Sequence, residues 1–330
     1  MFERKRYEFV LRADTPLAHH QEVFGNAAQV FRKDVMQPDG TFAKVPYITA
    51  DTMRHGLREA AAYALLDAIG MLDKATLTEA ALRLLFAGGL ITGGGAGAVK
   101  LDEYREMVAL IPSLGLLGGC AMNRAIPGKM FVEDATLICT ESEHTAPAWT
   151  LAASPPRNSC RSHIEETVRV RMDPSLDPGK RLLLTDGAHH GINQRLLASE
   201  AASESGDAVE KRDTKSTMLP RSFETIKQGS LLSWSVEAVI QSDIENETFQ
   251  MMIGAFLANA QVGGKRGTGH GRLSVLKVND GYAAREVTLL RPSTSADVST
   301  AALSLRGASV REHYVKNADR IRTMLSTVVA

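Results

Sequence analysis

Aromatic residues make up only 5% of this 330-residue chain, too few for a broad platform on which nucleic-acid bases stack. Its three cysteines, Cys120, Cys139 and Cys160, have neither metal-ligand spacing nor even pairing, and so read as buried or idle thiols in a reducing cytoplasm. No apolar run approaches the roughly 18 residues that a membrane-spanning helix needs. The charged start, Glu3-Arg4-Lys5-Arg6, is not followed by a secretory leader, so the expectation is a cytoplasmic protein without a membrane partner. An excess of one charge is also absent, since 38 Lys and Arg balance 38 Asp and Glu. Affinity for nucleic acid must then come from local segregation of charge. His19-His20 and His189-His190 lack carboxylates or cysteines at ligand spacing and fall in polar stretches. They read as solvated side chains, with no metal and no cofactor implied, and no Ser-His-Asp arrangement can be argued from spacing.

What is present centres on Gly263-Gly264-Lys265-Arg266-Gly267-Thr268-Gly269-His270-Gly271-Arg272. Five of these ten residues are glycine and three carry a fixed positive charge. Glycine permits positive φ and close backbone approach, and successive free amides make an anion-binding concavity. Lys and Arg suit phosphate, one as a point charge and one as a fork. Neither the phosphate-loop motif nor the dinucleotide fingerprint fits, because both run strand, glycines, helix. Here an apolar helical stripe (Phe249, Met252, Ile253, Phe256, Leu257, Ala260) precedes the glycines and a strand, 272–278, follows. A lone glycine cluster is commonly a plain turn. This one lies in a stretch, Gln261 to Arg291, with six Lys or Arg against two Asp or Glu.

Along the chain, residues 7–12 alternate as a first strand, and 17–47 read as a long polar loop with a turn at Pro38-Asp39-Gly40. A helix over 51–69 follows, with Thr49 or Asp51 as N-cap and with Arg54 and Arg58 on one face. A helix near 79–86 leads to a glycine run, 88–97, that reads as structural. Residues 101–111 are helical, 112–119 an apolar loop, and 129–139 a strand with a break at Glu133-Asp134. Residues 141–163 are loop. The alternation over 167–172, with Arg169 and Arg171 on one face, and the return at 181–184 predict a basic hairpin. Residues 187–221 read as an irregular arm, 231–241 as a half-buried strand, 245–260 as a helix, and 305–328 as one amphipathic helix. Strand, helix, strand at each end predicts an α+β, ferredoxin-like skeleton with a large insertion.

Four of these features occur together. They are the first strand with its polar loop, the segment Pro46-Tyr47-Ile48-Thr49-Ala50-Asp51-Thr52-Met53-Arg54-His55-Gly56-Leu57-Arg58, a basic hairpin insertion, and the glycine loop before the last strand. Together they resemble the RAMP superfamily of CRISPR-associated proteins. Gly88-Gly89, the loop Leu114 to Ala121 and the entry Pro127-Gly128-Lys129 are most similar to the backbone subunit of type IV effector complexes, over most of residues 1–280. The resemblance implies an RNA-recognition-like palm (1–86 and 222–330), a helical insertion (87–140), and a thumb hairpin with a flexible arm (141–221). It implies a non-catalytic subunit that binds crRNA, stacks head to tail with copies of itself, meets other effector subunits and presents the guide to a target nucleic acid. The RNA-binding positions it implies are Arg54, Arg58, Arg169, Arg171, Gly263, Gly264, Lys265, Arg266, Gly267, Gly269, His270 and Arg272. Some type III relatives cut target RNA with an aspartate in the loop after the first strand, so a metal-dependent ribonuclease using Asp34, with Asp39 nearby, is the alternative. A small-molecule enzyme holding a nucleotide phosphate at 263–272 is a third.

Overall fold

The computed structural model describes residues 2–24, 27–72, 77–89, 97–98, 100–121, 124–147, 158–169, 185, 188, 194, 221–279, 284–286 and 307–327. In chain order the first half holds β1 (Glu3–Ala13), β2 (His20–Phe24), β3 (Ala27–Val30), β4 (Arg32–Met36), β5 (Phe42–Ile48), α1 (Ala50–Ala68), α2 (Glu79–Ala87), β6 (Gly97–Ala98), α3 (Leu101–Leu110), α4 (Pro112–Leu117), β7 (Gly119–Ala121), β8 (Arg124–Ile126), β9 (Met130–Val132) and β10 (Ala135–Leu137). Then come β11 (Ile164–Arg169), β12 (Arg221–Ile226), β13 (Leu231–Ile240), α5 (Asp243–Ala258), β14 (Leu273–Asn279), β15 (Ala284–Glu286), α6 (Gly307–Lys316) and α7 (Ala318–Thr327).

Two compact units separate. One comprises Met1–His20, Val30–Glu165 and Thr225–Ala330, the other Gln21–Gln29 and Glu166–Glu224. In the second, β12 pairs parallel with β3 through Ser222–Ala27 and Phe223–Ala28. The predicted hairpin return at 181–184, most of the arm and His189-His190 lie outside the described residues.

The first unit is built on a sheet of order β15-β14-β1-β13-β10-β5-β4, with β9 also on β13. Its pairings are antiparallel. β1 is central, in register with β13 from Glu3–Ile240 to Arg12–Leu231. The period of two divides its faces. Phe9 stacks on Trp234 at 5.1 Å, Trp234 meets Phe256 edge-on at 6.0 Å, and Tyr7 meets Phe249 at 5.6 Å, so this face carries α5. The opposite face is laced with charge, as Arg6 bridges Glu8, Glu133 and Glu237 at 3.1–3.8 Å. Burial alone would lower the Arg6 pKa, but Glu133 first and then Glu8 and Glu237 raise it.

Local signals fix the helices over this sheet. Thr49 caps α1, its hydroxyl accepting from the Thr52 amide, and Thr78 caps α2 through the Ala81 amide. Ser242 and Glu245 bracket the start of α5, where Ser242 Oγ accepts from the Glu245 amide (3.4 Å) and Glu245 Oε2 from the Gln241 amide (2.8 Å). Lys129 reaches Glu245 and Gln241 and ties the strand entry to that cap.

Three expectations need correction. Residues 17–47 are not a loop. They contain β2–β5, and β4–β5 is a hairpin paired from Arg32–Pro46 to Met36–Phe42. The exposed Met36 and Phe42, on the face opposite the buried Val35 and Val45, mask the alternation there, although Pro38-Asp39-Gly40 does form its turn, with Gly40 at φ 83°. The apolar stretch after Pro112 is α4, opened by that proline and wholly buried. The C-terminal stripe is two helices rather than one, because Asn317 turns its side chain back to the His313 carbonyl (2.9 Å). Of the expected stripe Val310, Tyr314, Val315, Ile321 and Leu325, all but Val315 are buried; Val315, next to Tyr314 on the helix, is exposed. Among the described residues no helix is long and apolar enough to cross a membrane.

Candidate nucleic-acid interface

The site grows from the start of α1. Asp134 Oδ1 accepts from the Ala50 amide (2.9 Å), and the Thr49 amide donates to His19 Nε2 (3.2 Å). His19 stacks on Phe31 with centroids 4.6 Å apart. Burial lowers its pKa to about 4, with the neighbouring charge of His20 acting the same way. His19 is therefore a neutral acceptor built into the fold, not the solvated residue expected from sequence.

The glycine loop folds against this corner. Gly264 donates to the Ala18 carbonyl (2.7 Å), Gly271 to Pro16 (3.0 Å) and Val262 to Gly271 (2.9 Å). Residues Arg266–Thr268 form a single 3-10 turn. The Thr268 amide and hydroxyl both donate to the Lys265 carbonyl at 2.9 Å, and the Gly269 amide donates to Arg266 (3.1 Å). Gln261 Nε2 braces the inside through the carbonyls of His270 (3.0 Å) and Arg266 (3.4 Å). Gly263 sits at φ 74°, where a Cβ would come within 2.5 Å of the Ala18 carbonyl, so no other residue fits. Lys265 at φ 58° is the single non-glycine residue with positive φ among the described residues. Most of the loop amides thus bond within the protein, while those of Arg266 and Gly267 meet no acceptor among the described residues.

Between loop and helix lies a cleft of about 500 Å³. The loop supplies Gly263, Gly264 and Arg266, α1 supplies Asp51, Thr52 and His55, and His19 and His20 close the third side. Arg266 also reaches Glu59 one turn further along α1, Nη1 to Oε2 at 3.7 Å.

The expected positions separate into groups. Lys265, Arg266 and Arg272 lie together on one loop, with Lys265 and Arg272 exposed. Gly264, Gly267 and Gly269 are exposed, and the space around Gly267 and Gly269 is open. His270 is buried, its Nδ1 turned to the Thr268 carbonyl (3.1 Å), so it braces the loop from within. Arg54 and Arg58 turn away from the glycine loop. Arg54 Nη2 donates to the Leu117 carbonyl and Arg58 Nη2 to Gly118 (3.0 Å), two cations at the C-terminal end of α4. Burial first, and then Arg54, lower the Arg58 pKa to about 10. Beside them Gly88 and Gly89 meet the backbone of 118–120, where a Cβ on Gly89 would lie 1.8 Å from the Cys120 carbonyl. The structural role expected for these two glycines is the one observed. The Arg169 side chain and Arg171 lie outside the described residues.

Asp34 is on β4 rather than in a loop. It is exposed and faces Lys44 at 3.4 Å. Asp39 is a turn residue whose carboxylate accepts from the Thr41 hydroxyl and amide, which lowers its pKa. Among the described residues no group of three or more His, Cys, Asp or Glu could hold a metal ion. Sequence reasoning passed over Asp51, Thr52, His55 and Glu59 as a stripe. The four-residue spacing that singled out Arg54 and Arg58 applies equally to Asp51 and His55.

A large antiparallel sheet, covering helices and two smaller sheets make this a mixed α+β fold. The fold has a counterpart among solved structures. A chain of a structure described as "Type IV-B CRISPR Complex" superposes with a TM-score of 0.52 and 17% sequence identity, covering 89% of this chain and 96% of that one. No protein-family model matches the sequence, and no curated protein matches it.

Proposed function

We propose that this protein is a crRNA-binding backbone subunit of a type IV CRISPR effector complex, stacking head to tail along the guide. The likeness to a type IV-B complex chain over nearly the whole of both chains is the observation that carries this reading. Strand order supports it. β14-β1-β13, flanked by β9 and β10, with α1 after β1 and α5 before β14, is the order of a ferredoxin-like palm. Bases would not spread over that palm's open face, which is a lattice of ion pairs around Arg6. The guide backbone instead lies along the glycine loop, with Lys265, Arg266 and Arg272 as the cations and the Arg266 and Gly267 amides as further donors. Arg54 and Arg58 hold α4 and support the palm indirectly. No catalytic role falls to Asp34, and the target is met by base pairing.

Size-exclusion chromatography with light scattering, with and without a guide-length RNA, tests the reading. The expected outcome is a nucleoprotein of several protomers with RNA in the same peak. A monomer with RNA eluting separately would overturn it.

A further inference from the structure

The cleft beside the glycine loop holds an electrostatic contradiction. Arg266 and the loop amides suit an anion, yet Asp51 stands on the facing wall. Asp51 is exposed and its carboxylate has no partner among the described residues. His55, one turn along the same helix and lining the same cleft, is likewise exposed and without a side-chain partner there. A carboxylate beside a phosphate repels it over the roughly 8–10 Å that salt leaves unscreened. Placement in the first turn of α1 does favour a negative charge. That accounts for helix stability, not for an acid facing an anion cleft with a free imidazole beside it.

Ionised carboxylates only accept hydrogen bonds. The repulsion is offset when the ligand brings a donor next to its phosphate, and ribose does so through the 2′-hydroxyl. Deoxyribose brings none. We propose that Asp51, assisted by His55, accepts the hydrogen bond of a guide ribose 2′-hydroxyl and so makes this cleft select RNA over DNA. The inference rests on the RNA-binding reading above and assigns that reading its sugar specificity. The hydroxyl donates to Asp51, its oxygen accepts from an imidazole N–H of His55, and Arg266 holds the adjoining phosphate. With DNA the same acid meets the phosphate uncompensated, so it discriminates both by attraction and by repulsion.

The test uses the full chain and four single-stranded probes of one sequence: RNA, DNA, 2′-O-methyl RNA and 2′-fluoro RNA. The last keeps the sugar pucker of RNA but cannot donate. The expected order places RNA about ten-fold tighter than the other three, the difference of one charge-assisted hydrogen bond. Asp51→Ala should weaken RNA and strengthen DNA, changes of opposite sign that a helix-stability role would not produce. Asp51→Asn, which keeps an acceptor without the charge, should retain a smaller preference, and melting temperatures establish that both variants fold. If 2′-fluoro RNA binds as RNA does, or if Asp51→Ala shifts RNA and DNA alike, the inference is overturned while RNA binding stands. If no probe binds, the RNA-binding reading fails and takes this one with it.

Discussion

Glu59 on α1 holds Arg266 of the glycine loop at 3.7 Å, with both side chains about one third exposed. A guide phosphate arriving at Arg266 must displace that carboxylate or share the guanidinium with it. Partly exposed pairs of this kind contribute about 0–1 kcal/mol. Glu59→Gln should therefore raise RNA affinity by up to roughly five-fold at low salt, with little change in melting temperature. A titration by fluorescence anisotropy measures it, and weaker binding would remove Arg266 from the phosphate contacts.

Lys265→Ala with Arg266→Ala removes two cations from one loop and leaves the fold's apolar contacts intact. RNA affinity should fall by about ten-fold per lost contact, the lower end for charged hydrogen bonds at a wet site. The slope of log affinity against log salt should shrink by about 0.7 for each single-strand phosphate no longer met. Guides of different sequence should lose equally, since phosphates are common to all. Titrations at several salt concentrations check both numbers. A plain turn at 263–272 predicts no change in either.

Two neighbouring glycines should behave oppositely. Gly263→Ala forces a Cβ toward the Ala18 carbonyl at 2.5 Å from a φ of 74°, a strain of about 1–3 kcal/mol before the clash is counted. Gly267→Ala has open space and no positive φ. Thermal melts should show a clear loss for the first and almost none for the second, while RNA binding by Gly267→Ala reports on close backbone approach alone.

His19 makes stability depend on pH. Its folded pKa is lowered from 6.5 to about 4 by burial, helped by His20. The unfolded chain then binds the proton more readily, so this contribution is fully present above about pH 6.5 and is lost as pH falls toward 4. Melting curves from pH 7 to 4 should show that decline, and His19→Phe should flatten it across the same window. An unchanged slope in the variant would mean that His19 is not protonated on unfolding there.

The sequence showed the skeleton where one period ran uninterrupted. The alternation of 231–241 and the helix expected over 245–260 became β13 and α5 within two residues at each end. It hid the β4–β5 hairpin, because Asp34 and Lys44 share the solvent face with the exposed Met36 and Phe42, so apolar residues fall on both faces and the alternation is lost. It hid α4 because a buried six-residue helix is apolar all round and has no stripe. In the site, the glycine loop and the capped start of α1 were both legible. Which face of α1 turns toward the loop was not. Arg54 and Arg58 share a face by spacing, but their partners, Leu117 and Gly118, lie some sixty residues away. Only tertiary packing decides that two arginines serve a helix end while Asp51 and His55 receive the cleft.

The glycine loop, despite five glycines in ten residues, is fastened before any ligand arrives. Its amides reach Pro16 and Ala18, its own 3-10 turn closes on Lys265, and Gln261 pins it from inside. A segment already held this way surrenders little conformational entropy on association. Binding there should resemble a lock meeting its key, with a small entropic penalty and an association rate set by encounter and charge; the bonded loop amides should be as protected from hydrogen exchange before RNA as after it, and only those of Arg266 and Gly267 should gain protection.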